Sequence, residues 1–130
     1  ASAEPACARR ILTRLARLAY RRPVTTAEVD ALLGFYADGR AGRGFDDGIQ
    51  FALERLLVDP DFLLRLHRDP PMSRVASTVT PASYAMDDLE IASRLSFFLW
   101  ASIPDDTLLT LAERRQLTRP EVLDQQVRRM

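Results

Sequence analysis

The side chains whose type and spacing could do chemistry begin almost at the start of the chain. Arg10, Arg14, Arg17 and Arg21 recur at helical spacing on one face, within a stretch (residues 1–23) that holds six Arg against one Glu. Such a stripe can grip phosphates or an acidic partner, because a row of guanidinium groups answers a row of anions. The bland alternative is a solvated face whose Arg side chains pair with acids elsewhere, such as Asp46, Asp47 or Glu54. The remaining chain is correspondingly acidic, which favours that alternative. No aromatic interleaving, helix-turn-helix pattern or zinc finger accompanies the stripe, so nucleic acid is not the expected partner.

Paired acids stand at Asp46-Asp47, Asp87-Asp88 and Asp105-Asp106. Two carboxylates can share acid and base work or hold a divalent ion. Each pair sits at an expected helix start, where capping and the helix dipole already account for it. His67 is the single histidine, near an expected helix end, where such a residue more often caps carbonyls than performs catalysis. Cys7 is the single cysteine and falls on an apolar helix face, as a small buried hydrophobe. It can form no internal disulfide, and no second Cys and His follow it to attach haem. Phe97, Phe98 and Trp100 could line a pocket, although aromatics beside Leu at helical spacing are usually core.

The elements that must position these groups are helices. The 130 residues are 47% hydrophobic and 28% charged with no net charge, enough for a soluble domain with a real core and no global pull toward polyanions. All 18 basic residues are Arg. Nothing at the N-terminus has the form of a signal peptide, and the longest apolar run, Leu95 to Ala101, is far too short for a bilayer.

A first helix starts near Pro5, shows Cys7, Ile11, Leu15 and Leu18 on one face, and closes at Arg22-Pro23. Thr25 and Glu28 form a capping box for a second, with Val29, Leu32, Leu33 and Tyr36 buried and Gly39 as its stop. Residues 39–44 are a turn rather than a phosphate loop, since they lack the Walker spacing with Lys. Phe45, Ile49, Ala52, Leu53, Leu56 and Leu57 define a third helix; Asp59-Pro60 restarts a short one through Leu66. From Asp69 to Met86 the pattern breaks into a loop. Asp87 then caps the richest apolar run, Asp88 to Trp100, expected as the central core helix with Leu89, Ala92, Leu95, Phe98 and Leu99 inward and the Glu90–Arg94 pair outward. Pro104-Asp105-Asp106 opens a helix through Leu108, Leu109 and Leu111, and Thr118 to Glu121 opens the last one, through Val122 and Val127. That helix reaches Met130 without a stop signal, as expected of a piece of a longer polypeptide.

Two stretches resemble known domains. Residues 7–25, from Cys7-Ala8-Arg9-Arg10-Ile11-Leu12 through Ala19-Tyr20-Arg21-Arg22-Pro23-Val24-Thr25, resemble the start of a small domain of unknown function. Glu90 to Trp100 with Ile103-Pro104-Asp105-Asp106 resembles the domain that adjoins it. Both are parts of large multidomain proteins typical of planctomycetes and related bacteria, often fused to or encoded beside c-type cytochrome domains. The chain departs from that pattern at Met86-Asp87, where Leu-Ser is expected, but Asp caps as well as Ser. The resemblance implies a fragment of an exported protein, periplasmic or extracellular, and transfers no activity, since no haem motif lies in this segment.

The expected fold is all-α: a bundle of about six helices in two packed units, 1–68 and 84–130, the second cut short, joined by a Pro/Ser/Thr-rich linker, 69–83. The expected function is a non-catalytic scaffold or protein-interaction module of a larger, cytochrome-associated protein, with no cofactor of its own. Its partners would be other domains of the same polypeptide, a c-type cytochrome domain among them, and no membrane. One alternative is part of an enzyme domain completed by flanking segments, with Asp105, Asp106 or Arg94 contributing. Another is weak anionic-partner or nucleic-acid binding through Arg10, Arg14, Arg17 and Arg21.

Overall fold

Alanine and leucine, the strongest helix formers, fill the start of the chain. In the computed structural model, which describes residues 3–64 and 86–130, they form α1 (Ala3–Tyr20). Its buried face is Ala8, Leu12, Ala16, Ala19 and Tyr20. The bulkier face expected inside, Cys7, Ile11, Leu15 and Leu18, is only half buried. Small residues win because they let neighbouring helices approach, and close approach gains dispersion contacts along the whole helix. Arg21, in the left-handed region at φ 56°, ends the helix ahead of Arg22-Pro23.

The capping box opens α2 (Thr26–Arg40) as expected. The Glu28 N–H donates to Thr25 Oγ1 at 3.3 Å, and the Thr25 N–H donates to the Glu28 carboxylate at 2.7 Å. Val29, Leu32 and Tyr36 are buried, with Leu33 packed beside them. Gly39 is not the stop: the helix runs on through Arg40, and the chain reverses at Gly42, φ 71°. Gly39 faces α3 (Phe45–Leu57) instead. A Cβ on Gly39 would lie 2.5 Å from Phe51 Cβ, and one on Gly48 would lie 2.7 Å from Tyr36 Cδ2 and from the Tyr36 carbonyl oxygen. These two glycines let α2 and α3 become the most extensively packed pair.

The one-turn helix α4 (Pro60–Leu63) starts at Asp59, whose carboxylate accepts the Asp61 N–H at 3.0 Å. It stops at Leu63. Arg22 ties it to the rest of this part. Its guanidinium donates to both Glu28 oxygens at 2.6 and 3.2 Å, reaches the Asp61 carboxylate, and lies 5.2 Å from the Tyr20 ring centroid.

The second part comprises α5 (Asp88–Trp100), α6 (Asp106–Glu113) and α7 (Pro120–Arg129). Ala92, Leu108, Ala112 and Leu117 form its core, flanked by Leu89, Ile91, Leu123 and Met130. Here the expectation needs its largest correction. α5 buries Asp88, Ala92 and Ser96, while Phe98 is 84% exposed and Leu99 40% exposed. The helix turns its small residues toward α6, so it is not a central core helix. At the far end, Gln126 rather than Val127 is buried, and Arg119 rather than Thr118 caps α7, without a side-chain bond. Trp100 Nε1 donates to the Met130 carbonyl at 3.0 Å and closes this part on itself. Asp88, read from the sequence as helix-start chemistry, is buried and accepts the N–H groups of Leu117 at 2.7 Å and Thr118 at 3.3 Å.

The fold is therefore all-α, with seven helices and no strand among the described residues, in two packed parts, α1–α4 and α5–α7. The single turn α4 is the short helix expected to restart at Asp59-Pro60, although it ends at Leu63 rather than running through Leu66. Leu66, His67 and the expected linker 69–83 lie outside the described residues.

Two expectations follow from this packing. Gly48→Ala should lower stability by roughly 1–3 kcal/mol through overpacking against Tyr36, despite alanine's better helix propensity. Gly34→Ala, in the same α2 with nothing within 4 Å of the new Cβ, should raise it by roughly 0.5–1 kcal/mol. Urea titrations of both variants measure the contrast; a stabilised Gly48→Ala would refute the close crossing. The second concerns Glu28, whose carboxyl is held down to about 2 from a usual 4.5, chiefly by Arg22, while burial opposes and Thr25 assists. A depressed folded value means that its contribution is complete above the usual value and fades as pH falls toward about 2. Glu28→Gln should thus melt below the parent at pH 6, and the gap should close on acidification between these two values. A gap that ignores pH would contradict this.

Candidate functional site

Four-residue and three-residue steps on a helix put side chains on one face, so Arg10, Arg14 and Arg17 form a stripe along α1, while Arg21 falls just past the helix end. The same rule applies to α6, where Asp106, Thr110 and Glu113 are spaced by four and three. The structure brings these two stripes together. Arg17 Nε donates to Glu113 Oε1 at 2.7 Å and Arg17 Nη2 to Glu113 Oε2 at 3.1 Å, a bidentate pair. Arg17 Nη1 donates to Asp106 Oδ1 at 2.8 Å, and Nη2 also reaches Thr110 Oγ1 at 3.3 Å. Arg14 adds a longer contact to Asp106, 3.4 Å.

Exposure decides which of these matter. The side chains of Arg17 and Glu113 are 21% and 23% exposed, whereas Arg14 is 72% and Asp106 54% exposed. Pairs of the second kind are worth roughly 0–1 kcal/mol and fade with salt. The Arg17–Glu113 pair is better shielded and geometrically matched. Its hydrogen bonds raise the Arg17 pKa above its usual value against the opposing effect of burial, with Asp106 assisting. Arg17 is the hub of the seam between the two parts, whose apolar cores share no residue.

The rest of the stripe diverges. Arg10 is exposed on the outer surface of α1. Arg21 turns away and donates to the carbonyls of Asp61 at 2.7 Å, Leu64 at 3.2 Å and Phe62 at 3.4 Å, closing the end of α4. The four positions therefore do three different things, and only Arg14 and Arg17 meet the acids of α6.

In each acid pair one member serves the local helix start. Asp87 caps α5 through the Glu90 N–H at 2.7 Å, and Asp47 accepts the Gly44 N–H at 3.0 Å at the start of α3. Asp105 accepts the Leu108 N–H at 2.8 Å and holds Arg129 through both its oxygens, at 2.6 and 3.1 Å. Arg129 keeps the Asp105 carboxyl below its usual value, the Leu108 N–H assisting against burial. Arg94 pairs with Glu90 at 2.6 Å along α5. Cys7 is half buried on α1. Among the described residues, no three His, Cys, Asp or Glu side chains converge to hold a metal, and no helix is long and apolar enough to cross a membrane. Reading the sequence missed Thr110, Glu113 and Arg129. The spacing of Asp106, Thr110 and Glu113 was a legible signal for the first two; internal pairing was the favoured reading of the stripe, but the acids named for it were Asp46, Asp47 and Glu54, whereas the bonds go to Asp106 and Glu113.

Comparison with known proteins follows the same division of the chain. Residues 7–66 match the family model described as PSD5, protein of unknown function (DUF1595), and residues 86–130 match PSD4, protein of unknown function (DUF1592). No curated protein and no solved structure matches the chain. The chain thus carries two adjoining domains of unknown function, a DUF1595 domain followed by a DUF1592 domain.

Proposed function

We propose that this chain is a non-catalytic helical scaffold or protein-interaction module of a larger protein. The observation that carries the reading is the seam: the arginine with the best geometry for holding an anion, Arg17, is already filled by Asp106, Glu113 and Thr110 of the same chain. The carboxylates that an enzyme would need, Asp105 and Asp106, are committed to a helix cap and to arginines, and Arg94 to Glu90. Charged groups spent in this way build a rigid body rather than a reactive centre.

The finer setting rests on the resemblance of residues 7–25 and of Glu90–Trp100 with Ile103-Pro104-Asp105-Asp106. In that setting the polypeptide is exported, of the planctomycete type and cytochrome-associated, and its partners are its own further domains, a c-type cytochrome domain among them. The proposed units remain 1–68 and 84–130 with a linker at 69–83.

Heparin chromatography at low salt tests the reading. The parent chain should pass through, since Arg17 is held by Asp106 and Glu113 and Arg14 reaches Asp106, whereas Asp106→Asn/Glu113→Gln, which frees Arg14 and Arg17, should be retained. Retention of the parent, abolished by Arg17→Gln, would overturn the scaffold reading in favour of polyanion binding.

A further inference from the structure

An apolar groove runs between α1 and α3, with a volume of about 580 Å³. Its floor is Ile11 from α1 and Phe45, Ile49, Leu53 and Leu57 from α3. Leu57 is 50% exposed, while the true core positions of α3 are Gly48, Ala52 and Leu56 on the neighbouring face. α3 therefore has a second apolar stripe beside the first, in which Phe45 and Ile49 pack partly against the core, Leu53 is half buried and Leu57 is exposed. From Phe45 to Leu57 this stripe extends roughly 18 Å, the length of about three helical turns.

Beside that floor runs a rail of Asp46, Gln50 and Glu54, one turn apart each time. Gln50 Nε2 donates to Glu54 Oε1 at 2.9 Å. Among the described residues no cation pairs with Asp46 or Glu54, although most other acids of this first part have an arginine or a cap. The two carboxylates stand roughly 12 Å apart along the helix. An uncompensated acidic rail beside an open apolar floor selects its occupant by charge.

We propose that this groove docks a cationic amphipathic helix of a partner polypeptide, about three turns long. Its apolar stripe lies on Ile49, Leu53 and Leu57, and its Arg or Lys residues, one or two turns apart, lie over Asp46 and Glu54. The groove shares no residue with the α1–α6 seam, so this inference can fail while the scaffold reading stands.

The test uses two synthetic peptides of about 14 residues with the same leucine stripe, one flanked by Arg and one by Glu, titrated by fluorescence anisotropy against the full chain. The Arg peptide should bind, and the Glu peptide should bind about ten-fold more weakly or worse. The surface variant Asp46→Lys/Glu54→Lys should reverse that preference, and Leu53→Asp, checked for helicity by circular dichroism, should abolish binding of both. Equal binding of the two peptides, no binding of the Arg peptide below about 1 mM, or binding that survives Leu53→Asp in a folded chain would overturn the proposal. If Leu53→Asp fails to fold, the reversal by Asp46→Lys/Glu54→Lys decides alone: a preference left unreversed overturns the proposal.

Discussion

One guanidinium sets the relation between the two halves of this molecule. Arg17 is anchored on α1, whose other face is sealed by Ala8, Leu12 and Ala16, and it reaches across to a carboxylate pair on α6. The two core clusters share no residue, and the side-chain bonds from α1 to α6 run from Arg14 and Arg17. That has a physical consequence. A hydrophobic joint tolerates sliding, because burial is non-directional, whereas a bidentate arginine–carboxylate pair specifies both distance and angle. The seam therefore adds a directional constraint to the packing of the two parts.

Within each half the governing constraint is closeness. Gly39 and Gly48 remove the side chains that would hold α2 and α3 apart, and Ala52 continues the contact. In the second half Ala92, Ser96 and Ala112 do the same for α5 and α6. Backbones that approach this far leave few voids, and dispersion then accumulates over many weak contacts. The large side chains displaced from these crossings, Phe98, Leu99 and Leu57, finish on the surface.

That displacement explains what could and could not be read from the residues. Helix starts were legible, because capping is local chemistry: Thr25 with Glu28, Asp59 before Pro60, Asp87 and Asp105 all cap where a short polar acceptor precedes a helical run. Helix faces were less legible. Weighting Leu, Ile and Phe rotated α1 and α5 toward their bulky sides, whereas packing chose the small ones. Gly39 was read as a stop because glycine favours turns, but its role is a missing Cβ, which is visible only when the partner helix is in place. The arginine stripe was recognised as a stripe, and its answering acids lay about ninety residues away on another helix, beyond the reach of local pattern.

The most direct test of the charged seam is a double-mutant cycle between Arg17 and Glu113, using Arg17→Gln, Glu113→Gln and the double variant, read by urea unfolding. Contacting, partly buried partners should show a coupling of roughly 0.5–3 kcal/mol that shrinks as salt is added. Strict additivity at low salt, within about 0.3 kcal/mol, would mean that Arg17 does not hold the two parts together.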